Sequence, residues 1–282
     1  MDTPSPPLII IGTHRSGTTM LAGLLARSGV YIGRRLGRNN EALYFRRLNR
    51  WLLAQGGGSW TRPLPFADIL DDPPSRELAA DYLRASLTFP RTLGFWGWRN
   101  LVKRGEGLWG WKDPRTTFTL PLWLELFPEA RVINVERHGV DVAESLVVRR
   151  ERSLARSRRR FHKRRALFRF LPKRGELVDT PRLARREPAL QLWTEYMAEG
   201  RRQVEQLGNR ALTISYEDLL RSPEQELERL AEFCGLALDR APRRELTASL
   251  DSGRAFAYRE DPELRRFAAD QSQLLETFGY GP

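Results

Sequence analysis

The chain is poor in cysteine, histidine and methionine, and it has no long apolar run. Among its 282 residues there are one cysteine, three histidines and three methionines. A single cysteine excludes an intramolecular disulfide. Cys234, in the helical-looking run Glu228 to Leu236, reads as an inert core residue of a reducing compartment. No His/Cys/Asp/Glu set has metal-ligand spacing, so no metal is expected. No apolar stretch reaches the roughly 20 residues that a membrane-crossing helix needs. Met1 to Pro6 lacks the basic n-region of a signal peptide. The expected location is the cytoplasm, with peripheral attachment to the inner membrane face left open.

One further absence is local. Leu8 to Ile11 is an apolar run ending in Gly12, a small, polar loop follows, and apolar spacing resumes from Met20 to Leu25. A continuous apolar run reads as a buried parallel strand, so this segment is strand, loop, helix. Such a loop offers backbone amides, and the helix N-terminus adds partial positive charge, which together suit a phosphate-like anion. Gly12 and Gly17 have the spacing of the G-x-x-x-x-G-K-[ST] loop, but Thr18 stands where its lysine belongs. Nothing at that position reaches the β/γ-phosphates of a triphosphate. Arg15 lies inside the loop instead.

A second strand runs from Val132 to Val135 and ends in Arg137; a turn with Gly139 leads to a helix expected to be capped near Asp141. Arg137 at the strand end and Ser145 on the first helical turns can face one bound group, Arg as a charged fork and Ser as a neutral donor. Two more segments stand out: Gly110-Trp111-Lys112-Asp113-Pro114-Arg115, and Ile214-Ser215-Tyr216-Glu217-Asp218-Leu219.

Taken in order, these four segments resemble those of sulfotransferases that use 3′-phosphoadenosine 5′-phosphosulfate (PAPS), in particular the bacterial and tyrosylprotein group. The resemblance implies an α/β fold, a P-loop-like three-layer sandwich whose central parallel sheet is flanked by helices. It implies that Arg15, Ser16, Gly17, Thr18 and Thr19, with His14 beside them, hold the 5′-phosphosulfate. Arg137 and Ser145 would hold the 3′-phosphate, and Tyr216 would lie against the adenine. Arg15 and Lys112 would stabilise charge as the sulfuryl group passes from PAPS to a hydroxyl on a carbohydrate, glycolipid or small molecule, releasing PAP without a metal. Golgi relatives usually carry a membrane anchor, which is not seen here.

The base is left open by the sequence. Cytosolic small-molecule sulfotransferases place a histidine two residues after the lysine, where this chain has Pro114. Glu41 is the counterpart nearest to the glutamate of tyrosylprotein sulfotransferases, although it lies farther from Arg15 than in those enzymes. The alternative for Glu41 is an exposed helix-start carboxylate capped by Asn40. Asp113 is the reserve, unless it only orients Lys112. His14 replaces the family's common proline and either touches the acceptor or fills the loop. Glu144 reads as a structural helix residue. The rival enzyme is a P-loop-like nucleotide kinase; the rival from another class is a non-catalytic basic protein that binds membrane or nucleic acid.

The formal net charge is +12, and residues 149–174 account for all of it, with 13 Lys/Arg against Glu151. Leu154, Phe161, Leu167, Phe168, Phe170 and Leu171 are interspersed. This basic insertion, at about 150–187 of a single 1–282 domain, fits a solvated segment, an amphipathic helix on an anionic membrane, or a lid over an anionic acceptor. Nucleic acid is disfavoured because the basicity is confined to one segment. Strands are expected at 8–12, 107–112, 131–136 and 211–215, with a short one elsewhere. Helices are expected at 18–28, 41–54, 75–88, 116–127, 141–152, 188–207 and 223–234, the last with Pro223 in its first turn. Trp96, Trp98, Trp109 and Trp111 alternate as in a strand pair or hairpin. The loop Gln55 to Ser59 and the Trp96/Trp98 region are expected at an acceptor entrance.

Overall fold

The computed structural model describes residues 5–102 (side chains of 98–102 aside), 107–171, 181–237, 247 and 250–281. The chain divides into two compact units. The first comprises Met1–Arg137 and Glu195–Phe256, the second His138–Thr194 and Ala257–Pro282.

The first unit is built on a parallel sheet of β1 (Leu8–Gly12), β2 (Gly110–Lys112), β3 (Arg131–Glu136) and β4 (Ala211–Ser215), in the order β2-β1-β3-β4. β1 is buried throughout, as its uninterrupted Leu-Ile-Ile-Ile requires. The α-helices in chain order begin with α1 (Thr18–Arg27), α2 (Leu43–Gln55), α3 (Ala67–Asp71), α4 (Pro73–Ser86), α5 (Leu93–Val102) and α6 (Thr116–Leu126). They continue with α7 (Gly139–Arg164), α8 (Arg186–Leu207), α9 (Tyr216–Arg221) and α10 (Pro223–Cys234), then α11 (Pro262–Asp270) and α12 (Ser272–Glu276).

Leu21, Leu24 and Leu25 of α1 pack with Ile10, Ile133, Val135, Ile214 and Leu230 into one core cluster. Cys234 is buried in that cluster, and burial pushes its thiol up to about 12, which keeps it protonated and inert. Pro223 takes the first position of α10, where its missing N–H costs nothing.

The strand order explains where a ligand can sit. The chain leaves β1 for β2 on one side of the sheet, then crosses to β3 on the other. Diverging connections open a crevice at the carboxyl ends of β1 and β3, the usual ligand position in an open α/β sheet.

Four expectations need correction. The Trp96 region is helical, not a strand: α5 spans it, broken at Gly97, whose φ of 67° lies in the left-handed region. Of the four tryptophans only Trp111 is in a strand, and the side chain of Trp98 lies outside the described residues. The short fifth strand is represented among the described residues only by isolated bridges such as Tyr31 with Trp109.

In the second unit, His138 and not Asp141 caps α7, its Nδ1 accepting from the Val140 N–H. Asp141 instead accepts from the Tyr258 N–H through Oδ1. The helix then continues to Arg164, twelve residues beyond the expected end at 152. Arginine has a helix propensity close to that of leucine, so a run of it extends a helix without needing a core. Glu144 is structural as read, paired with Arg186 at 2.6 Å.

Candidate active site

The loop after β1 carries three left-handed residues within six positions: Gly12 (φ 129°), Arg15 (φ 77°) and Gly17 (φ 100°). A Cβ on Gly12 would overlap the Val135 carbonyl oxygen, so this turn needs glycine. Alternating handedness of this kind curls successive amides toward one point and makes an anion-binding concavity. α1 starts at Thr18 with no acidic residue in its first turn and no side-chain cap. Its first N–H groups therefore suit an anion. Thr13 Oγ1 and Ser16 Oγ are buried and lack a hydrogen-bond partner among the described residues. Buried hydroxyls rarely stay so without a function.

Lys112 closes the concavity from the end of β2. Its side chain is 1% exposed, yet its Nζ lies 3.6 Å from Glu41 Oε1 and 3.5 Å from Thr19 Oγ1. Burial lowers its pKa to about 8, opposed by the nearby Glu41 and Asp113 carboxylates. The segment just before Glu41 is stitched to the start of α1. Thr19 Oγ1 donates to the Asn39 carbonyl, and Asn40 Nδ2 donates to the Thr19 carbonyl. Asn40, at φ 53°, is thus a loop tie and not the helix cap expected of it; Ala42 occupies that position in α2. Glu41 is 4% exposed, which removes the reading as a solvated helix-start carboxylate.

The carboxylate oxygens of Asp113, the reserve base, are otherwise engaged. Asp113 Oδ1 accepts from both the backbone N–H and Nη1 of Arg115, and Oδ2 accepts from Asn49. His14 packs edge-on against Trp60 at 4.4 Å and near Tyr196 at 6.1 Å, on the flank of the loop. Asn49 is a residue that the sequence reading missed. Fully buried on α2, it donates to Asp113 and Thr116 and accepts from Thr119 and Trp123, all within 3.0 Å. It holds the Lys112-Asp113-Pro114-Arg115 turn against α6. Asn49→Leu is expected to cost about 3 kcal/mol or more, because it strands several buried polar groups at about 1–3 kcal/mol each. Urea unfolding checks this.

At the end of β3, the Arg137 guanidinium lies 4.3 Å above the Tyr216 ring, with Nη1 donating to the Arg15 carbonyl and Nη2 to that of Arg254. Tyr216, at the start of α9, is set by Ser215, whose Oγ accepts from the Asp218 N–H. The first unit therefore holds Arg15, Ser16, Gly17, Thr18, Thr19, Glu41, Lys112, Arg137 and Tyr216. Ser145 falls in the second unit, on α7. Among the described residues no group of three His, Cys, Asp or Glu could hold a metal ion, and no helix is long and apolar enough to cross a membrane.

A model of the sulfotransferase family matches residues 6–240. No curated protein matches the sequence closely enough to count as a relative. Among solved structures, the sulfotransferase domain from the curacin biosynthetic pathway is 19% identical, with 96% of this chain and 99% of that one covered and a TM-score of 0.52. It shares the fold. The sulfotransferase domain of the Synechococcus PCC 7002 olefin synthase is 22% identical over 100% of this chain and 97% of that one, at a TM-score of 0.47. A Mycobacterium avium sulfotransferase is 17% identical over 97% and 77%, at 0.45.

Proposed function

Since this chain belongs to the sulfotransferase family, we propose that it moves the sulfuryl group of PAPS to a hydroxyl acceptor and releases PAP. The observation that carries this reading is the buried Lys112–Glu41 pair beside an uncapped anion loop that has no triphosphate lysine. A kinase reading has only the fold in its favour.

In this reading the amides of the loop and the hydroxyls of Ser16, Thr18 and Thr19 grip the 5′-phosphosulfate. Arg137 takes the 3′-phosphate, and Tyr216 supports Arg137 and the adenine side of the nucleotide. Sulfuryl transfer, like phosphoryl transfer, runs in line through a loose transition state in which charge collects on the leaving oxygen. Lys112 and Arg15 meet that charge. Glu41 takes the acceptor's proton, and a carbohydrate, glycolipid or small molecule supplies the hydroxyl.

PAP should bind tightly in calorimetry without added metal, with ATP and AMP much weaker. Equal affinities, or a requirement for magnesium, would overturn the donor assignment. Glu41→Gln keeps the size of the side chain but removes the base. It is expected to slow turnover by about 10²–10⁴-fold with PAP affinity nearly unchanged. An active variant would transfer the base role elsewhere.

A further inference from the structure

We propose that the distal part of α7 and the turn after it, residues 149–171, form a docking surface for an anionic lipid bilayer. This stands apart from the sulfotransfer reading and does not depend on it. The buried part of α7 ends at Leu146. From Arg149 to Leu171 the chain carries ten arginines and Lys163 against one acid, Glu151. Nearly all of these residues are exposed.

Apolar residues sit within this charge in a pattern. Val147, Leu154 and Phe161 recur every seven residues, so they share one helix face. Phe168 continues the series beyond the helix and stacks on Phe161, with centroids 5.9 Å apart. The turn then exposes Leu167, Leu171 and, at 83%, Phe170. Single exposed apolar residues are ordinary, but three within five positions at the end of a cationic helix are not. A basic face with bulky apolar side chains at its tip is the composition of an interfacial helix. The cations meet anionic headgroups and the apolar groups enter the acyl boundary.

Charge decides between occupants. A second copy of this segment would be repelled by about the same positive charge. A nucleic acid would engage the arginines through its phosphates but leave Leu167, Phe170 and Leu171 in water. A bilayer with anionic lipid takes both.

The test is co-sedimentation of the full chain with vesicles of phosphatidylcholine alone, or with a third of the lipid replaced by phosphatidylglycerol. Binding is expected only to the anionic vesicles and should weaken as salt rises from about 0.1 to about 0.5 M. Phe170→Ser with Leu171→Ser alters two exposed positions and should lower partitioning at least about tenfold. Arg158→Glu, Arg159→Glu and Arg160→Glu together should lower it at least about a hundredfold, each lost cation being worth about fivefold. An unchanged far-UV spectrum and melt would establish that both variants are folded. Absence of partitioning, equal partitioning into neutral vesicles, or an unaffected double-serine variant would each overturn the proposal. Preferred binding to duplex DNA over the anionic vesicles, unchanged in that variant, would do so in favour of nucleic acid.

Discussion

Lys112→Met should lower turnover by about 10³-fold while leaving the fold intact. The magnitude follows from losing a preorganised cation in a site closed to water, where one donor to developing negative charge is worth about 10²–10³-fold. Methionine matches the buried stem and removes only the charge. It also leaves the buried Glu41 carboxylate without its Lys112 partner, so the variant should be less stable than the parent while still folded.

The same group sets a pH limb. With its pKa lowered to about 8 by burial, Lys112 loses its proton as pH rises through that value. The kcat/KM profile, which reports the free enzyme, should therefore fall above about pH 8. The anionic donor favours the charged form, so the limb in kcat should lie higher. Stability moves the other way. The unfolded chain binds more protons than the native one between about 8 and the ordinary lysine value of 10.5, so this group makes the protein more stable across that window. Lys112→Arg should move the alkaline limb out of range. A limb that stays near 8 in Lys112→Arg would remove Lys112 as its source.

Gly17→Ala should lower PAP affinity by about a hundredfold or more, although only a methyl group is added. Gly17 has φ 100°, where an L side chain is strained by about 1–2 kcal/mol. Its Cβ would also overlap Cδ2 of Tyr216 and lie 2.9 Å from Cε2. Tyr216 cannot swing away cheaply, because its ring carries the Arg137 guanidinium at 4.3 Å. The methyl thus disturbs the loop, the ring and the arginine at once. Gly29 supplies the control. It has nearly the same φ, 97°, and a Cβ there meets nothing within 4 Å. Gly29→Ala should show the backbone strain in urea unfolding yet bind PAP normally. Equal losses of affinity in the two variants would mean that strain alone, not the Tyr216 contact, is responsible.

The β1–loop–α1 segment was legible because each of its signals is local: an apolar run, two spaced glycines and a polar turn. The same is true of β3 with Arg137 and of β4 with Tyr216. What was not legible depends on packing between distant segments. Asn49 makes its four hydrogen bonds to residues more than sixty positions away. It did leave a trace, since it interrupts the otherwise apolar stripe of Phe45, Leu48, Leu52 and Leu53 on α2. A polar residue on the buried face of a helix is a position to examine first. The tryptophan spacing misled because two pairs at i and i+2 are too short to separate a strand from a helix broken at Gly97. The full length of α7 was hidden because an arginine-rich helix carries only a narrow apolar seam.

β1 and β3 are joined by five parallel pairs, from Leu8 with Arg131 to Gly12 with Val135. The anion loop and Arg137 therefore leave neighbouring strands about 4.8 Å apart, held by a ladder that cannot stretch. The sheet acts as a gauge. The spacing between the loop and the Arg137 backbone is set by the β-ladder, and the Tyr216 ring with the Arg15 and Arg254 carbonyls then places the guanidinium. A substitution at the rim that leaves the ladder intact should therefore leave that backbone spacing unchanged.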